Sequence, residues 1–113
     1  MPEAAVDTLI VLTNLPDRAS AVKLARALVD RRLAACVNVL GEASSVYRWQ
    51  GRVETEPEVP LLIKTRGALY AEVEAAIIAT HPYELPEIVA VPVVRGLPEY
   101  LEWVTAETTP LID

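Results

Sequence analysis

The hydrophobic period of this chain switches from strand-like to helical and back, twice, between Val6 and Val94, and that alternation limits the possible folds more than any single motif. Leu9-Ile10-Val11-Leu12 is a short continuous apolar run, the pattern of a strand covered on both faces, so Val6 to Thr13 is read as a central strand. Pro16-Asp17 stops it. Asp17 stands where an N-cap belongs, and Ala21, Leu24, Ala25 and Leu28 recur at helical spacing, which predicts a helix reaching about Arg32.

Strand character resumes over Ala35 to Leu40, bends at Gly41, and continues through Ser45 to Trp49. Gln50-Gly51 occupies the place of a two-residue hairpin turn, after which the chain returns through Val53 and then Val59 to Thr65. Pro57 and Pro60 remove ladder donors, so part of the returning strand is expected at an edge or bulge. Beyond Arg66-Gly67, Leu69, Val73, Ala76 and Ile77 predict a second helix that ends at His81-Pro82, because the residue before a proline is pushed out of the helical region. Pro82 to Pro86 reads as a loop, Ile88 to Val94 as a further strand, and Pro98 opens a short helix with Leu97, Leu101 and Val104 on one side. The order β-α-β-β-α-β plus a terminal helix predicts an α+β, ferredoxin-like antiparallel sheet with a long hairpin, as one domain over residues 1–113.

Both main helices then cover one sheet face and leave the other bare. Hydrophobic residues make up 52% of the 113, yet a domain of this size buries only about two thirds of its unfolded surface, so copies of the same chain are expected to cover the remainder. A homotrimer, in which each hairpin extends a neighbour's sheet, is the expected assembly. No stretch approaches the roughly 18 apolar residues of a membrane span. A net charge of -6 without a Lys/Arg stripe argues against nucleic acid. The single cysteine, Cys36, fits a reducing compartment, and Met1 to Ala5 has no basic export signal, which predicts a cytoplasmic location. Nine prolines with one Cys, one Met, one Gln and two Asn predict heat tolerance.

No phosphate-cradling glycine loop, HExxH, CxxC or GxSxG is present, so no enzyme activity is expected. His81, the only histidine, is read first as a helix C-cap and second as a borderline ligand for copper or zinc completed by Glu84. Cys36 is expected to be a buried structural thiol, with the alternative that its sulfur faces an intersubunit cleft and ligates Cu(I). Tyr47 and Trp49 share a strand face, and the polar strand residues Asn38 and Lys64 are expected to line an intersubunit cleft with Trp49, Tyr83 and Glu84. Glu54, Glu56 and Glu58 read as a solvated edge that discourages aggregation.

Ala34-Ala35-Cys36-Val37-Asn38, Ser45-Val46-Tyr47-Arg48-Trp49-Gln50-Gly51, Leu62-Ile63-Lys64-Thr65 and His81-Pro82-Tyr83-Glu84-Leu85-Pro86-Glu87-Ile88, in this order and spacing, resemble the CutA divalent-cation tolerance family. The resemblance runs from Val11 to Trp103 and implies a ferredoxin-like homotrimer in the cytoplasm with a role in copper or divalent-metal tolerance. Members with a proposed copper site carry a cysteine in the first strand before the Pro-Asp turn and a doubled histidine before Pro-Tyr. Thr13 and Thr80 stand at those positions here, so the resemblance implies only a weak site, with copper or another divalent cation as ligand and no required cofactor. Two other classes fit the same residues: a PII-like sensor binding a small effector between subunits, and a trimeric scaffold for partner proteins.

Overall fold

The computed structural model describes residues 7–110. Their elements run β1 (Thr8–Leu15), α1 (Arg18–Asp30), β2 (Cys36–Val39), β3 (Ala43–Trp49), β4 (Arg52–Arg66), a 3-10 turn (Gly67–Leu69), α2 (Tyr70–Thr80), β5 (Val89–Pro92) and α3 (Pro98–Glu107). Four strands form a sheet in the order β2-β4-β1-β5, and β3 adds to the far half of β4, with every neighbouring pair antiparallel. The strand start expected at Val6, and the segment Met1 to Ala5, lie outside the described residues. At its other end β1 passes Thr13 to reach Leu15, because β4 continues to oppose it as far as Val59.

Alternation sorts the strand residues onto two faces. Val11, Thr13 and Leu15 of β1 and Val59, Leu61, Ile63 and Thr65 of β4 are buried beneath the helices. Ala21, Leu24 and Leu28 of α1 and Val73, Ala76 and Ile77 of α2 pack into the same core. Burying a side chain such as Leu28 or Ile77, both without exposure, contributes about 1.5–3 kcal/mol each. Asp17 caps α1 through Oδ1, which accepts from the Ser20 N–H at 2.8 Å, and this bond holds the Asp17 carboxyl below its ordinary range. The helix stops two residues short of the expected Arg32, which instead adopts a left-handed φ of 57°. From there the Arg32 guanidinium donates to the carbonyls of Ala106 and Thr109, closing the far end of α3.

The expected bend at Gly41 separates two strands. Val39 opposes Leu61 and Ala43 opposes Glu58, so three residues, Leu40 to Glu42, face two, Val59 and Pro60. Pro60 accepts from the Leu40 N–H at 3.0 Å, and its missing donor points into this gap, where no regular ladder runs. Pro57 points the opposite way, beyond the end of β1, where the described residues hold no partner strand to lose. The hairpin closes at Gln50 and Gly51 with φ of 50° and 80°, the paired positive angles of a tight turn matched to strand twist.

The second sheet face is less bare than expected. α3 crosses its end, burying Thr8 and Val104, and the Arg66 side chain donates to the Thr108 hydroxyl and carbonyl at 2.9 Å each. Leu101 is half-buried and Leu97 exposed, so only part of the expected apolar side of α3 is covered. The strand expected over Ile88 to Val94 shortens to Val89–Pro92, since only Leu9 to Leu12 oppose it and its outer edge has no neighbour among the described residues.

Candidate functional site

His81 ends α2 as its C-cap, with an extended backbone ahead of Pro82 and its N–H bonded to the Ile77 carbonyl at 2.9 Å. Its ring serves neither the helix dipole nor an open ligand site. Nε2 lies 2.6 Å from the carbonyl of Asn14, and Nδ1 accepts the Tyr83 N–H at 3.1 Å. A carbonyl can only accept and an N–H can only donate, so the ring carries its proton on Nε2. The Tyr83 ring sits over it, with centroids 4.7 Å apart. Asn14 completes the clamp: its side-chain amide donates to Glu87 at 2.9 Å. Residues 82–87 are thus tied to the end of β1 at two points.

This clamp forms one wall of an open groove of about 1030 Å³. Tyr83, Glu84 and Glu87 line it from the loop, Tyr47, Trp49, Glu56 and Glu58 from the hairpin, and Asn14 from β1. The rings of Tyr47, Trp49 and Tyr83 are each a little over one third exposed. Burial and then the neighbouring Glu58 carboxylate push the Tyr83 hydroxyl up to about 12, with smaller contributions from Tyr47 and Glu56. Burial and then the charges of Glu56, Glu54 and Glu58 raise Tyr47 as well. Glu58 departs from the solvated edge expected of it: only 8% exposed, it stands where the hairpin meets the sheet and lines the groove with Tyr83.

Three of the expected cleft residues therefore meet here: Trp49, Tyr83 and Glu84. Asn38 and Lys64 do not join them within one chain. They lie on the second sheet face, where Lys64 Nζ donates to Asn38 Oδ1. Cys36 opposes Lys64 on that face, beside Tyr100 of α3, and is only half-buried, because the main helices cover the other face; the expectation of a buried thiol is corrected accordingly. Thr80 bonds back to the carbonyls of Ala76 and Ile77, and Thr13 points into the core beneath the helices. Among the described residues, no group of three or more His, Cys, Asp or Glu side chains is placed to hold a metal ion. The sequence reading missed Asn14, Glu56 and Glu58 as groove residues. Even-number alternation along β4 carried the signal, since it sets Glu54, Glu56 and Glu58 on the face of Tyr47 and Trp49.

No helix among the described residues is long and apolar enough to cross a membrane. The family described as CutA1 divalent ion tolerance protein matches residues 9–107. The chain is 43% identical over 99 residues to the divalent-cation tolerance protein CutA of Thermus thermophilus, covering 88% of this chain and 96% of that one. It is 39% identical over 103 residues to the chloroplastic CutA protein of Arabidopsis thaliana, covering 91% of this chain and 57% of the relative's length. The crystal structure of CutA from Xylella fastidiosa superposes with a TM-score of 0.88 at 47% identity, covering 91% of this chain and 99% of that one.

Proposed function

This chain belongs to the CutA1 divalent ion tolerance family, and from that premise we propose that it is a ferredoxin-like homotrimer acting as a non-enzymatic binding protein in cytoplasmic tolerance of divalent cations such as copper. One observation carries the assembly: apolar side chains stand in solvent on the elements that lack partners. Val46 and Val53 on the back of the hairpin are 67% and 63% exposed, and Val94 beyond the edge strand is 77% exposed. A free edge beside such a patch invites pairing with other chains, and closed symmetry covers it without leaving a new edge.

Metal binding, in this reading, belongs to the cleft between subunits. One chain supplies the Glu84 carboxylate from the loop, with His81 as its nearest imidazole, and a neighbour supplies the remaining donors. His81 joins such a site only by releasing the Tyr83 N–H from Nδ1 or the Asn14 carbonyl from Nε2, which keeps affinity low. Cys36, Asn38 and Lys64 face the same interface from the sheet. Light scattering on the eluting protein tests the assembly: three times the chain mass of 12.3 kDa is expected, and a folded monomer overturns it. Copper calorimetry on the parent, His81→Ala and Glu84→Gln tests the site, and equal binding by all three removes it.

A further inference from the structure

We propose that the outer side of α1 is a docking surface for an acidic amphipathic helix of a partner protein, whose carboxylates meet Arg18 and Arg26 and whose aliphatic side chains cover Val22 and Val29. α1 packs on the sheet face opposite the one assigned to neighbouring subunits, and its buried residues are Ala21, Leu24, Ala25 and Leu28. At 3.6 residues per turn, Arg18, Val22, Arg26 and Val29 fall in a second stripe beside the buried one. Both arginines are exposed, Val22 is half-buried and Val29 is 42% exposed. In a chain of net charge -6, residues 17–32 hold five of the ten cationic side chains and two of the sixteen acidic ones.

Helix stability does not ask for this arrangement. Arg18 stands in the first turn, at the positive end of the helix dipole, with no acidic residue in that turn, and the last turn, where a cation would help, has none. Lys23 and Arg26, three residues apart, are neighbours of like charge. Asp30 follows Arg26 by four residues without pairing to it: the one salt bridge among the described residues joins Arg32 to Glu107 at 3.9 Å. Charge placed against the local rules, and left without an internal partner, points to an external one.

The spacing selects the partner's chemistry. Arg18 and Arg26 are two turns apart, about 12 Å along the axis, so one small anion cannot bridge them. An opposing helix carries carboxylates at the same rise, and its aliphatic residues reach the valines between. A nucleic acid or an anionic membrane extends past one helix, and α2, packed beside α1, would meet it with Glu72 and Glu74.

The probe is a fluorescein-labelled peptide with glutamates at i, i+4 and i+8 and leucines between them. Its scrambled sequence, a single-stranded DNA oligonucleotide and phosphatidylserine vesicles are the comparisons. Anisotropy titration of the full chain should show saturable binding of the ordered peptide, weakening as salt rises. Arg18→Glu/Arg26→Gln should weaken that binding about five- to tenfold. The same variant should melt at or above the parent's temperature, because a glutamate in the first turn suits the dipole. A lower melting temperature would assign these charges to the fold and overturn the proposal. It is equally overturned if no saturable binding occurs, if the scrambled peptide or the variant binds as well, or if DNA or vesicles bind more tightly than the ordered peptide. Copper titration and particle mass report on other faces of the molecule, so their failure leaves these outcomes unaffected.

Discussion

The imidazole of His81 is locked to Asn14, with Nε2 2.6 Å from the Asn14 carbonyl, while its other nitrogen holds the Tyr83 N–H. A single side chain thereby fixes a strand end and a loop in one orientation. Two-dimensional nitrogen NMR of the imidazole should show the neutral ring protonated on Nε2. In His81→Ala the Tyr83 amide should exchange with solvent faster than in the parent, while the core amides of β4 keep their protection. Unchanged exchange at Tyr83 would dissolve the clamp.

The tyrosines should titrate late. All four carry hydroxyls displaced above their ordinary value, Tyr83 furthest, to about 12. Absorbance at 295 nm should therefore rise at higher pH than for free tyrosine, and Tyr83→Phe should remove the last component. A hydroxyl whose folded value is raised keeps its proton longer in the folded state, so its contribution to stability is complete below about pH 10 and is lost as pH rises towards 12. Melting temperatures measured across that window should fall more steeply in the parent than in Tyr83→Phe.

Thr13 is 1% exposed and its hydroxyl has no hydrogen-bond partner among the described residues. An unpartnered buried hydroxyl costs about 1–3 kcal/mol in desolvation, and valine replaces it with nearly the same shape. Thr13→Val should raise the denaturation midpoint, by about 1 kcal/mol in unfolding free energy at unchanged slope. A lower midpoint would mean that the hydroxyl has a partner after all.

Arg66 holds α3 to the sheet through two bonds to Thr108. Arg66→Met keeps the aliphatic stem and deletes both, with an expected loss of about 1.5–3 kcal/mol. The loss should be concentrated at α3, read as faster amide exchange from Tyr100 to Thr108 and quicker proteolysis there. Uniform destabilisation would place the anchor elsewhere.

The residue pattern also favours heat tolerance, and a melting midpoint above about 60 °C is expected, over the range of ordinary mesophile domains. A lower midpoint would remove that reading.

Much of the fold was legible because its signals are local. Ala21, Leu24, Ala25 and Leu28 announce α1 through spacing alone and are all buried, and Gln50-Gly51 announces its turn through the angles only such residues readily take. The remainder depends on strands far apart in sequence. Nothing near Asn14 or Leu15 says that β4 will still be beside them, and nothing near Leu40 reveals the extra residue between β2 and β3. The same limit applied to the groove. Trp49, Tyr83 and Glu84 are recognisable by type, whereas the burial of Glu58 depends on tertiary packing, and Asn14 enters through its backbone carbonyl, a group every residue carries. Asn38 and Lys64 are recognisable as polar residues inside strands, and register sets them on the second sheet face, apart from the groove within one chain.

β4 is a 15-residue strand that pairs in turn with β3, β2 and β1. At about 3.3 Å per residue it spans roughly 50 Å, comparable to the longest dimension of the molecule, 50 Å. Mechanically it is a cantilever: a load applied at Gln50 and Gly51 travels along one unbroken backbone to Ile63 and Thr65 in the core. Whatever grips the hairpin tip therefore also holds the spine of the domain.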